Sequence, residues 1–296
     1  MIRKRVEPAA NYSAVFVNGK TIRVPLDRNK PITELRYPEF YDLSFGNKCV
    51  TGKCDYCYAS ASKTGIHYKN IVQKINDFFG VMDINQTPFQ AAVGGEQEPL
   101  EHPEFWDAVK RLHELQICPN FTTNGAILND KVIENTLKYC GGVAVTLHPH
   151  LEKFWRKAIP RYAEAKIKLN LHVIISDKDS INNAEQLYKE YANTGMVDYF
   201  VLLPYMPYGH ARNKTKTINY LALEKWLDKI FKDGKIAFGA NFYDFIKLHA
   251  QKYDVSLYPP EILSKYAIFS DPIQITNNSF EKKPVKFISG LGCELK

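Results

Sequence analysis

GVAVTL at 142–147, LEKFWRKAIPRYAE at 151–164 and KLNLHVII at 168–175 are the three consecutive segments that decide the fold. The outer two are short apolar runs of strand length, and the middle one is long and amphipathic enough for a helix. Strand, helix, strand in that order implies two parallel strands joined by a crossover helix. The unit recurs in both directions along the chain. YDLSF (41–45) precedes a helical pattern at 68–80, FQAAV (89–93) one at 103–115, and ICPNFT (117–122) one at 128–139. The 168–175 run precedes 181–193, and VDYFVLL (197–203) precedes 218–233. Units repeating at about 30-residue spacing predict a parallel α/β sheet. Pro103 falls at a helix start, where its missing N–H costs nothing.

Ahead of this series, AVFV (14–17) and TIRV (21–24) flank Asn18-Gly19-Lys20, a hairpin signal built on a pair that tolerates positive φ. Residues 1–36 therefore read as an N-terminal hairpin cap and 37–240 as one continuous α/β domain without a linker. Residues 241–296 read as a C-terminal extension packed on it, helical at 241–249 and 259–269 and irregular or weakly strand-like at 272–290.

The chain has 296 residues, 45% of them hydrophobic, enough for a large buried core. No segment approaches the roughly 20 apolar residues of a membrane span, and the start lacks the apolar run of a signal peptide, so a soluble cytoplasmic protein is expected. Net charge is +7. The basic concentration Lys153, Arg156, Lys157, Arg161, Lys166 and Lys168 is read first as a solvated helix face and second as a surface for a polyanion.

In either an open parallel sheet or a barrel, ligands bind at the carboxyl ends of the strands. Four polar or glycine-rich stretches fall there: the cysteine loop CVTGKCDYCY (49–58), Gly94-Gly95-Glu96, Thr122-Thr123-Asn124-Gly125 and Thr146-Leu147-His148. Cys49, Cys54 and Cys57 lie within nine residues of one another, as thiolates sharing a metal centre do. Cys118, Cys140 and Cys293 are isolated from one another and read as reduced thiols.

On these residues the chain resembles the radical S-adenosylmethionine (SAM) enzymes, closest in motif to the branch with peptide-modifying maturases and the molybdenum-cofactor GTP cyclase. Their Cys-x3-Cys-x2-Cys loop is matched by Cys49, Cys54 and Cys57, with one extra residue in the first gap, which Gly52 is expected to absorb in a turn conformation. GGEQEPLEHPEFW (94–106) resembles their GGEPL…HPEF run, with Gln97 and Glu98 as an apparent insertion. TTNG (122–125) matches the same branch, Thr146-Leu147-His148 resembles its Ser-Leu-Asp, and Pro207-Tyr208-Gly209-His210-Ala211 resembles its Pro-x-Gly-Arg-Ala.

The resemblance implies a partial (β/α)6 TIM-like barrel holding one 4Fe-4S cluster and SAM. The ligands would be Cys49, Cys54 and Cys57, with Tyr56, Gly94, Gly95, Glu96, Thr146 and Asn170 contacting SAM. It implies radical-initiated modification of a substrate, a peptide or protein before a nucleotide or nucleic acid, and a reductant such as flavodoxin or ferredoxin. His148, Tyr205 and His210 are the candidate catalytic side chains. Many relatives in this branch carry a cysteine-rich extension for auxiliary clusters, whereas here only Cys293 follows the barrel, so a single cluster is expected. The competing reading is a zinc-stabilised nucleic-acid-binding protein with His67 as fourth ligand. Asn124-Gly125 and Gly94-Gly95 also read as plain turns.

Overall fold

A computed structural model describes residues 1–94, 96–252, 255–256, 263–271, 273–276 and 294–295. Strands β1 (Ile2–Glu7), β2 (Tyr12–Val17) and β3 (Lys20–Pro25) form an antiparallel sheet. The β2–β3 turn places Asn18 and Gly19 at φ +50° and +77°, the two left-handed positions a tight hairpin needs. Alternation along β2 buries Tyr12, Ala14 and Phe16 on one face, and they pack with Leu35, Phe89, Cys118 and Leu263.

Then come β4 (Phe40–Ser44), α1 (Ile71–Phe79), β5 (Gln90–Val93), α2 (Phe105–Glu114), β6 (Cys118–Thr123) and α3 (Asp130–Tyr139). They are followed by β7 (Gly142–Thr146), α4 (Glu152–Glu164), β8 (Leu169–Ile175), α5 (Lys178–Tyr191), β9 (Tyr199–Pro204) and α6 (Tyr220–Ile230). The last elements are β10 (Ile236–Phe238), α7 (Tyr243–His249), β11 (Val255–Ser256), β12 (Ser264–Ile268), β13 (Gln274–Thr276) and β14 (Glu294–Leu295).

One sheet runs in the order β10-β9-β8-β7-β6-β5-β4-β12-β13. Eight of its strands are parallel and curl through 202° into a half-barrel with helices outside, while β13 is antiparallel to β12. Each helix lays one apolar stripe on the sheet: Phe105, Ala108, Val109 and Leu112 on α2, and Trp155, Ala158, Ile159 and Tyr162 on α4. Local caps start several of them. The Asn129 side chain accepts the Val132 N–H at 3.0 Å, and Asp177 and Ser180 form a reciprocal capping box.

Three features depart from the sequence reading, the first being β1, which adds a third strand to the expected hairpin. Residues 264–268, expected to be helical, form β12, which pairs in parallel with β4. Burial explains the difference: Leu263, Ser264, Tyr266, Ala267 and Phe269 are all buried, and a parallel strand covered on both faces shows a near-continuous apolar run instead of clean alternation. The three-residue β10, too short to signal itself, extends the opposite edge beside β9.

The N-terminal sheet closes the end of the barrel where the strands begin. The Arg3 guanidinium is buried there and donates to the carbonyls of Pro88 (2.6 Å), Thr87 (3.0 Å) and Gln116 (3.0 Å), in the turns that enter β5 and β6. Glu39, just before β4, accepts from Tyr12 Oη at 2.6 Å and pairs with Arg23 at 2.7 Å. Among the described residues the opposite end is left open.

Candidate active site

At that open end the strand termini of β4 to β9 surround a cavity of about 180 Å³. Its lining includes Asp42 from β4, Gly94 and Glu98 after β5, Thr122–Asn124 at the end of β6, Thr146 and His148 from β7, His172 and Ile174 from β8 and Leu203 from β9. The loop after β4 lays Cys49, Cys54, Tyr56 and Cys57 across it. Of the residues picked from sequence, the structure brings together Cys49, Cys54, Cys57, Tyr56, Gly94, Thr146 and His148. Gly95 lies outside the described residues.

Glu96, Asn170, Tyr205 and His210 do not line the cavity. Glu96 is buried and accepts from Ser44 Oγ at 2.7 Å. Asn170 shares the inward face of β8 with His172 and Ile174 but lies deeper in the barrel. Tyr205 donates to the Ala211 carbonyl at 3.2 Å, and the His210 backbone N–H donates to the Cys57 carbonyl at 2.9 Å. His67 is also away from the cavity and packs its ring on His102 at 4.8 Å, so the fourth zinc ligand expected from spacing does not meet the three cysteines.

The three thiols sit in different local settings. Burial pushes Cys49 up to about 11 against backbone N–H groups of Gly52 and Glu98, which favour the thiolate. Burial pushes Cys57 up as well, against N–H groups of Ala61, Ala59 and Ser60. Cys54 rises to about 12 through burial and the neighbouring Cys57 and Cys49. Positive charge placed among them would reverse the sign, since a coordinating thiol ionises outright. Among the described residues no group of three or more His, Cys, Asp or Glu side chains is arranged to hold one single metal ion.

Several neighbours hold the cysteine loop. Glu101 accepts the backbone N–H groups of Val50 (2.7 Å) and Thr51 (2.9 Å) and the Thr51 hydroxyl (2.7 Å). Asn124 donates to Thr51 Oγ1 at 3.0 Å and also caps its own turn by accepting the Ala126 N–H at 2.9 Å, so the turn expected there is present and the same side chain supports the loop. Gly209 stands at φ +58° with its Cα against the loop; a Cβ there would come within 2.3 Å of the Tyr58 carbonyl and 2.6 Å of the Cys57 carbonyl. Lys214 pairs with Asp55 beside it.

Gly52 serves the loop differently from expectation. Its φ is not positive, and the left-handed residue is Lys53 at φ +44°. Gly52 is needed for space: a Cβ would lie 2.6 Å from Cys49 Sγ and 3.7 Å from Cys54 Sγ.

Sequence reasoning missed Glu98, taken as part of an insertion. It is 2% exposed and accepts from Thr123 Oγ1 at 2.8 Å and the Asn124 N–H at 2.7 Å, and burial pushes its carboxyl up to about 7. The signal was Pro99: the Glu-Pro of the resembled run is Glu98-Pro99, with the extra residues in front of it. His148 and His172 are both driven down to about 4 by burial and are neutral imidazoles at neutral pH. His148 Nδ1 meets Tyr56 Oη at 2.8 Å. His150, which flanks Pro149 with His148 at the same strand end, has its Nε2 2.6 Å from the Gly52 carbonyl.

No family model matches the sequence, and no curated protein matches it. Solved structures do match the fold. Streptococcus suis SuiB bound to S-adenosylmethionine superposes with TM-score 0.60 at 12% identity, over 78% of this chain and 58% of that one. SuiB bound to precursor peptide SuiA gives 0.59 at 14% identity, over 79% and 58%. Histidine-tagged anSMEcpe with bound AdoMet gives 0.53 at 15% identity, over 73% and 64%. The chain thus spans less than two thirds of the length of these structures. The half-barrel is the fold shared with these structures.

Proposed function

We propose that this chain is a radical SAM enzyme, in which Cys49, Cys54 and Cys57 bind one 4Fe-4S cluster and the cavity beside them binds SAM. The observation that carries the reading is the placement of all three thiols on one cavity that is also walled by the ends of six successive parallel strands. The donor set fits such a cluster: three cysteines would hold three irons and leave the fourth for SAM. Backbone N–H groups stand beside two of the sulfurs, where thiolate charge would need them.

When bound and reduced, the cluster would supply one electron to the SAM sulfonium, whose bond to C5′ would break to give methionine and a 5′-deoxyadenosyl radical able to abstract a substrate hydrogen. The residues' part is positioning and exclusion. Glu98 offers a buried carboxylate for the SAM ammonium, whose charge would favour its ionised form. Thr123 and Asn124 hold that carboxylate by donating to it. Tyr56, held by His148, presents an aromatic face for the adenine. Neutral His172, with Ile174 and Leu203, walls the side toward β8 and β9, where a substrate carbon would be shielded from water.

A peptide or protein substrate is favoured over a nucleotide. Support comes from the GGE…HPEF resemblance and from SuiB, which carries this fold and was solved with its precursor peptide. The basic run on α4 argues little for nucleic acid, because Arg156 pairs with Glu152 and Glu190 and Arg161 with Asp130.

The test is anaerobic. The chain is reconstituted with iron and sulfide, reduced, given SAM and assayed for 5′-deoxyadenosine. Broad iron–sulfur absorption and SAM cleavage are expected, and a colourless protein that never cleaves SAM sinks the reading.

A further inference from the structure

His150 stands beside the cysteine loop, and the role derived for it rests on the cluster reading above. Cys49 and Cys57 draw backbone N–H groups to their sulfurs, but Cys54 has a different neighbour. His150 Nε2 stands 3.6 Å from Cys54 Sγ and 2.6 Å from the Gly52 carbonyl. A carbonyl only accepts, so Nε2 carries the proton, and its N–H edge faces both the Gly52 oxygen and the sulfur. The ring is braced in that pose. It packs on Tyr56 edge to face at 6.0 Å and on His148 at 5.7 Å. His148 is fixed in turn by Tyr56 Oη at 2.8 Å, while its carbonyl accepts Trp155 Nε1–H at 2.9 Å. Pro149 lies between the two histidines and starts a single helical turn, which stiffens their spacing.

We propose that His150 is a positioning residue that donates Nε2–H to the Cys54 sulfur and so sets the reduction potential of the cluster. Hydrogen bonds to cluster sulfurs are among the factors that set cluster potentials. A donor stabilises the more negatively charged, reduced form, so its removal makes reduction harder. The same N–H tethers the Gly52 carbonyl, and the loop segment between Cys49 and Cys54 is pinned from the β7 side. The resembled family pattern offers no histidine here; the feature belongs to His148-Pro149-His150 of this chain.

The test uses the full chain reconstituted anaerobically. Iron and sulfide content and the midpoint potential are measured for wild type, His150→Phe and His150→Gln. Phe keeps a flat ring without a donor, and Gln restores an N–H. The expected result is a more negative potential in H150F at unchanged iron content, with H150Q returning toward wild type. Equal potentials in wild type and H150F, or equal displacement in H150F and H150Q, overturn the proposal. A second measurement needs no variant to fold: reduced wild type labelled with 15N-histidine should show weak 15N hyperfine coupling in pulsed electron paramagnetic resonance, and its absence also overturns the proposal. A wild-type chain that takes up no iron and sulfide refutes the cluster reading itself, an outcome distinct from a loaded cluster indifferent to His150.

Discussion

Replacing Glu98 with Gln separates the cost of a buried carboxylate from its use. Glu98 is 2% exposed, and burial lifts its carboxyl from 4.5 to about 7. With the folded pKa raised, the native state holds a proton that the unfolded state releases. The associated stability is fully present below the unfolded pKa and is lost as pH rises through the folded one. The gap corresponds to about 3 kcal/mol lost between acid pH and pH 8. Gln does not titrate and keeps an oxygen to accept from Thr123 and Asn124, so the variant lacks this loss. Urea unfolding of the iron-free chain, followed for both proteins from pH 4 to pH 8, isolates Glu98 because every other titrating group is shared. Near pH 4 the two should agree within about 1 kcal/mol, the worth of one hydrogen bond. At pH 8 E98Q should be the more stable by about 2–3 kcal/mol, and it should bind SAM more weakly for want of the anion. A flat difference across the range, or a wild type that gains on the variant as pH rises, refutes the argument that burial dominates this carboxyl.

Other perturbations probe the loop and its supports. Alanine at Cys49, Cys54 or Cys57 should abolish most iron uptake and SAM cleavage, whereas alanine at Cys118, Cys140 or Cys293 should leave iron content near wild type; elemental analysis after reconstitution decides. Gly209→Ala adds a Cβ at left-handed φ against two carbonyls of the cysteine loop. Left-handed strain of about 1–2 kcal/mol plus overpacking of about 1–3 should show as a loss of roughly 2–5 kcal/mol in urea unfolding. Glu101→Ala removes three hydrogen bonds from Val50 and Thr51. Local opening cheaper by about 1.5 kcal/mol should speed tryptic cleavage after exposed Lys53 about tenfold.

The sheet was legible wherever a strand and its helix both carried a pattern. The units from β4 to α6 announce themselves through paired apolar runs and amphipathic stripes, and Asn18-Gly19 marks the hairpin. β1 escaped notice because Ile2, Lys4 and Val6 face outward and Arg3 and Arg5 inward, the reverse of the usual polarity. Arg3 can be buried only because carbonyls from far along the chain receive it, and no local pattern reports such partners. β12 was hidden by its burial on both faces. In the site, spacing was enough to bring the cysteines, Thr146 and His148 to one cavity, whatever their roles there. Side-chain direction was not: Glu96 and Glu98 differ by two residues in a loop of no fixed period, so which carboxylate meets the cavity depends on tertiary contacts with Ser44 and with Thr123.

The two lengthened loops explain one another. The resembled pattern has one residue fewer between the first two cysteines and fewer between Gly-Gly and Glu-Pro. In this chain the surplus on each side meets the other: Val50 and Thr51 lean on Glu101, and the Glu98 backbone N–H reaches Cys49. A longer cysteine loop alone would leave the Val50 and Thr51 amides to water, forgoing about 0.5–1.5 kcal/mol of net stabilisation for each hydrogen bond. A longer β5 loop alone would leave the Glu101 carboxylate facing solvent with nothing to organise. Together they close three hydrogen bonds and press Gly52 against Cys49 Sγ, where only a residue without a Cβ fits. Shortening the cysteine gap by deleting Lys53 should therefore fail to improve iron uptake unless the 94–98 loop is shortened with it, and paired deletions should recover more iron than either alone. A single deletion that loads iron as well as the pair would show that the two loops accommodate their extra residues independently.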